Sequence, residues 1–114
     1  VEYGSTDLSR AVQEARLADG NRGNNYGAAR LADGSIITAR SSAGVHAEEA
    51  LINNADSRRI VELYSEREPC ANKCADLTSG IPTAWSWRWN GVDRGSVNAE
   101  IKQAVRDLFD QGGC

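Results

Sequence analysis

His46, Glu48, Cys70 and Cys74 are the residues of this sequence whose types and spacing could do chemistry. His46 is the single histidine and Cys70 and Cys74 are two of three cysteines, so a site made of imidazole and thiols must draw on nearly all of the supply. Zinc binds His nitrogen and Cys thiolate in a tetrahedron, and a catalytic site leaves the fourth corner open for water. One imidazole and two thiolates are three ligands, with that corner left open. Glu48 adds a carboxylate able to move protons. A structural zinc would need a fourth protein ligand, for which the spare thiol is Cys114 at the end of the chain. A disulfide framework does not fit, because Cys70 and Cys74 within one helix have poor geometry for a bridge and the cysteine count is odd.

The neighbouring sequence can bring these residues together. Val45 to Asn54 has a helical composition with Ala47, Ala50, Leu51 and Ile52 as its packing face, which puts His46 and Glu48 in the first turn. Positions i and i+2 point to different sides of a helix, but side chains lean toward the N-terminus, so both can project into the space before that turn. Pro69 suits a first helical turn, where its missing N–H is not needed. It predicts a helix that starts with Cys70 and Cys74 at i and i+4 on one face. The positive end of that helix favours thiolate, and so metal binding.

Further out, Leu8, Ala11, Val12, Ala15 and Ala18 recur at helical intervals over residues 7–18, with Ser5, Thr6 or Asp7 to cap them. Residues 19–25 are dense in turn formers. Tyr26 to Leu31 and Ser35 to Ala39 read as a hairpin joined at Ala32-Asp33-Gly34. Ile60 to Ser65 is a third strand, apolar enough to be central. Thr83 to Asn90 alternates, with Trp85, Trp87 and Trp89 on one face, and predicts a fourth strand whose indoles fill the core between sheet and helices, with a base-stacking platform as the alternative. Ser96 to Gln111 is an amphipathic helix. This order implies right-handed crossovers and an α/β sandwich. The N-termini of the helices bearing His46 and Cys70 would then emerge at one sheet edge.

At 114 residues the chain suits one domain with one core. No apolar run approaches the length of a membrane helix and no signal peptide is visible. The chain starts at Val1 and lacks Met, which reads as a domain cut from a longer polypeptide. A net charge of −3 argues against a general polyelectrolyte binder. Of the cations only Lys73 and Lys102 are lysine, and the rest are arginine, the side chain better suited to bidentate phosphate contact. Arg67, Arg88 and Arg94 are candidates for such contacts, with a solvated surface as the plainer reading.

The motifs H-A-E at 46–48 and E-P-C-A-N-K-C at 68–74, with the hairpin Y-G-A-A-R-L-A-D-G-S-I-I-T-A before them, resemble the cytidine deaminase-like superfamily from about Asn24 to Ser86. Zinc deaminases of nucleobases carry H-x-E and P-C-x-x-C, with the Glu moving protons; here three residues separate the cysteines. The resemblance implies a three-layer α/β/α sandwich with a mixed four- to five-stranded sheet. It implies Zn2+ on His46, Cys70 and Cys74, Glu48 as the catalytic carboxylate, and substrate contacts from Asn25, Tyr26, Ala47 and Glu68. In the family the N–H matching Ala47 meets the pyrimidine carbonyl and an Asn matching Asn25, or its neighbour Asn24, meets the sugar.

Within the superfamily the short domain and the S-E-R-E-P-C strand end resemble the C-terminal deaminase domains of bacterial polymorphic toxins. Those act on cytosine in nucleic acid and are restrained by an immunity protein. That implies a monomeric effector delivered to a target-cell cytoplasm, acting on DNA in preference to RNA and not bound to membrane. Free cytidine deaminases carry an Asn where this chain has Ser41, and many use Cys in place of His46, differences that point away from a nucleoside substrate. A free cytidine or nucleotide deaminase and a non-catalytic zinc interaction module are the alternatives, and adenine needs the same zinc chemistry.

Overall fold

Thr6 begins the first helix by reciprocal capping: its hydroxyl accepts the Ser9 N–H at 3.1 Å while its own N–H donates to Ser9 Oγ at 3.0 Å. The helix α1 (Asp7–Asp19) ends at Gly20, whose φ of 64° is the left-handed C-cap geometry that glycine adopts at little cost. The structure, a computed structural model, describes residues 1–42, 46–55, 59–69 and 80–112.

After α1 come β1 (Tyr26–Leu31), β2 (Ile36–Arg40), α2 (Ala47–Ala55), β3 (Ile60–Arg67), β4 (Thr83–Trp87) and α3 (Arg94–Gly112). The β1–β2 turn is the expected one: Gly34 takes a φ of 90° and Asp33 Oδ1 accepts the Ser35 N–H at 2.9 Å. The sheet order is β2-β1-β3-β4, with β1 antiparallel to both β2 and β3, and β4 parallel to β3. This is an α/β protein with a mixed four-stranded sheet and, among the described residues, three helices, compatible with a cytidine deaminase-like fold.

Strand alternation sorts the core into two layers. Tyr26, Ala28 and Tyr64 pack with Leu8 and Val12 of α1, whereas Ala29 and Leu63 pack with Leu51 of α2. The two helices therefore cover opposite faces. Gly27 lets α2 close on its face: a Cβ there would lie 2.9 Å from the Tyr64 carbonyl oxygen, 3.0 Å from Leu51 Cδ1 and 3.6 Å from Ala47 Cβ. A side chain at 27 would push the start of α2 off the sheet.

The tryptophans depart from expectation. β4 stops at Trp87, so Trp89 lies beyond the strand, and none of the three indoles is among the buried core residues. Among the described strands β4 is the outermost beside β3, where less of each side chain is covered. Trp87 packs against Tyr3, with ring centroids 4.9 Å apart. Trp87→Ala is accordingly expected to lower stability by about 1 to 3 kcal/mol, the scale of a half-buried aromatic pair and less than that of a core indole. Chemical denaturation checks the value, and a loss beyond that range would restore the core assignment.

Candidate functional site

Since β2, β3 and β4 all run antiparallel to β1, one sheet edge collects the C-terminal ends of three strands and the N-terminal end of β1. Each chemical candidate among the described residues lies at that edge, Tyr26 as the first residue of β1 and the others carried there by the element next to them. α2 follows β2 there, β3 leads through Glu68 and Pro69 toward Cys70, and Asn25 immediately precedes β1.

His46 stands one residue before α2, not inside its first turn. Its carbonyl accepts the Ala50 N–H at 3.0 Å, and its own N–H donates to Glu49 Oε1 at 3.2 Å. That is the N-cap position, which Ser, Thr, Asp or Asn usually fill because their side-chain oxygens cap the helix. Glu49 supplies the cap contact by reaching back from the third helical position. Helix capping therefore does not explain a histidine here. Glu48, at the second helical position, is only 2% exposed, a buried carboxylate at the positive end of a helix. Ala47 is fully buried, and its N–H belongs to the first turn, whose N–H groups have no intrahelical acceptor.

Asn25 is fixed from three directions. Its Oδ1 accepts the Arg67 N–H at 3.2 Å, its Nδ2 donates to Ser65 Oγ at 3.0 Å, and its backbone N–H donates to Ser41 Oγ at 2.9 Å. Its side chain thus ties the start of β1 to the end of β3. Asn24 takes a φ of 62° and donates its amide to the Ser41 carbonyl at 2.8 Å.

Two expected substrate contacts are placed differently. Tyr26 belongs to the α1-side core, on the face opposite α2, with its hydroxyl donating to Asp19 Oδ2 at 2.7 Å. The reason is strand alternation: whatever neighbours Asn25 along β1 must face the other way. Glu68 accepts the N–H groups of Trp89 and Asn90, both at 3.1 Å on Oε1, and so clamps the segment after β4 to the end of β3. Burial alone would raise its pKa, but these N–H groups, the Asn90 amide and the charge of Arg88 together hold it below the ordinary 4.5. A depressed folded-state pKa contributes stability that is present above the unfolded value and disappears as pH falls through the folded one. Glu68→Gln should therefore flatten the acid side of the stability profile between about pH 5 and pH 3. Denaturation midpoints across that range check it, and a variant as acid-sensitive as wild type would contradict it.

Cys70 and Cys74 lie outside the described residues, together with the helix expected from Pro69. Among the described residues no three His, Cys, Asp or Glu side chains converge as a metal site, so the donor set is whole only with both cysteines. One imidazole and two thiolates suit zinc, and the chain leaves Pro69 for Cys70 at the edge where His46 stands.

A network beneath the edge was not anticipated. Arg16, fully buried, forks onto Glu66, with Nε to Oε2 at 2.7 Å and Nη2 to Oε1 at 2.6 Å. Arg16 also donates to the carbonyls of Asn21, Gly23 and Asn24, while Glu66 accepts the Tyr3 hydroxyl at 2.5 Å and the Tyr26 N–H at 2.9 Å. Burial and the adjacent Glu66 charge push the Tyr3 phenol's pKa upward. The pair holds the loop that delivers Asn25. Its signal was in the sequence: Leu8, Val12 and Arg16 form an i, i+4, i+8 row, an arginine in line with an apolar stripe.

No curated protein and no solved structure matches the chain. A family model for Xanthomonas-like deaminases matches residues 22–111, well over half of the chain, which includes the edge residues, His46, Glu48 and both cysteines. The chain belongs to the Xanthomonas-like deaminase family.

Proposed function

We propose that this deaminase is a zinc-dependent hydrolase that converts cytosine to uracil in nucleic acid, with single-stranded DNA as the favoured substrate, and that it acts as a bacterial toxin. The observation that carries the reading is the placement of His46 and buried Glu48 at the start of α2, on the sheet edge where β3 leads into Pro69-Cys70. His46, Cys70 and Cys74 would hold a zinc ion, which when bound would make a hydroxide nucleophile available at neutral pH. Glu48 carries one proton of the attacking water to the ring nitrogen and the second, from the new C4 hydroxyl, to the departing amine. Water adds at C4 and ammonia leaves, so cytosine becomes uracil. The Ala47 N–H meets the pyrimidine carbonyl, and Asn25, held at the start of β1, meets the sugar.

The toxin reading extends this to a monomeric effector that works in a target-cell cytoplasm and is restrained in the producing cell by an immunity protein. It rests on the motif resemblance to polymorphic-toxin deaminase domains. Incubation with matched DNA, RNA and free cytidine, followed by sequencing and nucleoside analysis, tests the substrate assignment. Uracil in the DNA strand is the expected result; conversion of free cytidine alone would overturn it.

A further inference from the structure

Trp89 sits beside the candidate site, just past the C-terminal end of β4 on the same sheet edge as His46. The Arg67 guanidinium carbon lies 4.7 Å from its ring centroid and that of Arg94 lies 4.8 Å from it. Two cations over one ring repel each other, and the ring's quadrupole offsets that repulsion only in part. A neighbouring carboxylate would be the usual remedy, yet neither arginine forms an ion pair among the described residues. Arg67 donates through Nη2 to Asn98 Oδ1 at 2.9 Å, and Arg94 donates through Nε to the Trp89 carbonyl at 3.2 Å. Arg67 Nε is buried with no acceptor among the described residues, and burial holds the guanidinium's pKa below its ordinary value.

The nearby carboxylates are committed elsewhere. Glu68 binds the N–H groups of Trp89 and Asn90, while Asp93 accepts from the Gly95 N–H and the Ser96 hydroxyl at the start of α3. Glu66, whose charge also reaches Arg67, is paired with Arg16. With exposed Arg88, whose charge acts on Glu68, three guanidiniums among the described residues face two carboxylates that are already occupied. The cluster is positively charged in a chain whose net charge is −3.

We propose that Arg67 and Arg94, mounted on the Trp89 ring, bind the phosphodiester backbone of the substrate strand next to the deamination site. This rests on the nucleic-acid reading above. The ring holds both guanidiniums in place before the strand arrives, so little side-chain freedom is lost on binding. An arriving phosphate supplies the negative charge that no described carboxylate gives the pair. Trp89 itself is the mount and does not stack on a base.

Equilibrium binding of a fluorescent single-stranded DNA oligonucleotide over a range of salt concentrations tests the proposal. Each phosphate contact contributes about 0.7 to the slope of log affinity against log salt for a single strand. Arg94→Ala should therefore make the slope shallower by about 0.7 and weaken binding about fivefold near 0.1 M salt. Trp89→Leu keeps both charges and removes the mount, so it should weaken binding with the slope nearly retained. Thermal melting of each variant confirms that it is folded. If wild type deaminates and binds the oligonucleotide while Arg94→Ala keeps both affinity and slope, the platform is wrong and the substrate reading stands. If wild type converts free cytidine but binds no oligonucleotide, both fall.

Discussion

Glu48→Ala is expected to lower cytosine deamination by about 10² to 10⁴-fold or more while leaving the fold in place, the scale of losing a positioned proton carrier. Glu48 is buried at the second position of α2, where its carboxylate lies in the field of the helix N-terminus. Alanine is the best helix former, so the element itself should survive. The side chain is proposed to move protons and to make no bond to metal, so the variant should keep its zinc. Expression in bacteria provides a second readout: wild type should accumulate C-to-T changes or reduce viability, and Glu48→Ala should not. Wild-type-like turnover in the variant would rule the mechanism out. Zinc loss in the variant would instead make Glu48 a ligand.

The largest expected stability effect lies on the opposite face of the sheet. Glu66→Ala should destabilise the domain by about 3 to 5 kcal/mol, because it leaves the buried Arg16 cation without its counter-charge. Domains of this size are stable by only about 5 to 15 kcal/mol, so the variant would be near its unfolding threshold. The substitution also removes the acceptor for the Tyr3 hydroxyl and the Tyr26 N–H, and it loosens the loop that delivers Asn25. Replacing both partners with apolar residues of similar size, Arg16→Met with Glu66→Leu, should cost less than Glu66→Ala alone, since no buried charge is then stranded. Urea denaturation measures both. A Glu66→Ala midpoint close to wild type would mean that the pair is not buried as described.

How much of this was legible in the sequence depends on how far the deciding contact reaches. β1 was bounded on both sides by local chemistry, the Asn-rich turn before Tyr26 and Asp33-Gly34 after it, and its limits were read correctly. The period-two pattern of the tryptophans continued to Asn90, but β4 ends at Trp87. Glu68, 21 residues from Trp89, captures the next N–H groups, which no local pattern shows. The Arg16–Glu66 pair spans 50 residues and could be seen only as an arginine in an apolar stripe. Strand alternation from Asn25 already places Tyr26 on the α1 side of the sheet, where it packs with Leu8 and Val12. For the chemical residues, rarity was the clue: a single histidine at a cap position and two cysteines after a proline. His46 and Glu48 reach one sheet edge, while Cys70 and Cys74 lie outside the described residues.

Zinc content is the measurement that bears most directly on the account. Purified protein loaded with zinc and then dialysed should retain about one ion per chain, as should Glu48→Ala. His46→Ala, Cys70→Ser and Cys74→Ser should each retain almost none, and their stability should fall by the amount that metal binding had contributed. Wild type with less than about 0.2 zinc per chain, or a full zinc complement in any of the three ligand variants, would contradict a catalytic zinc site built from His46, Cys70 and Cys74.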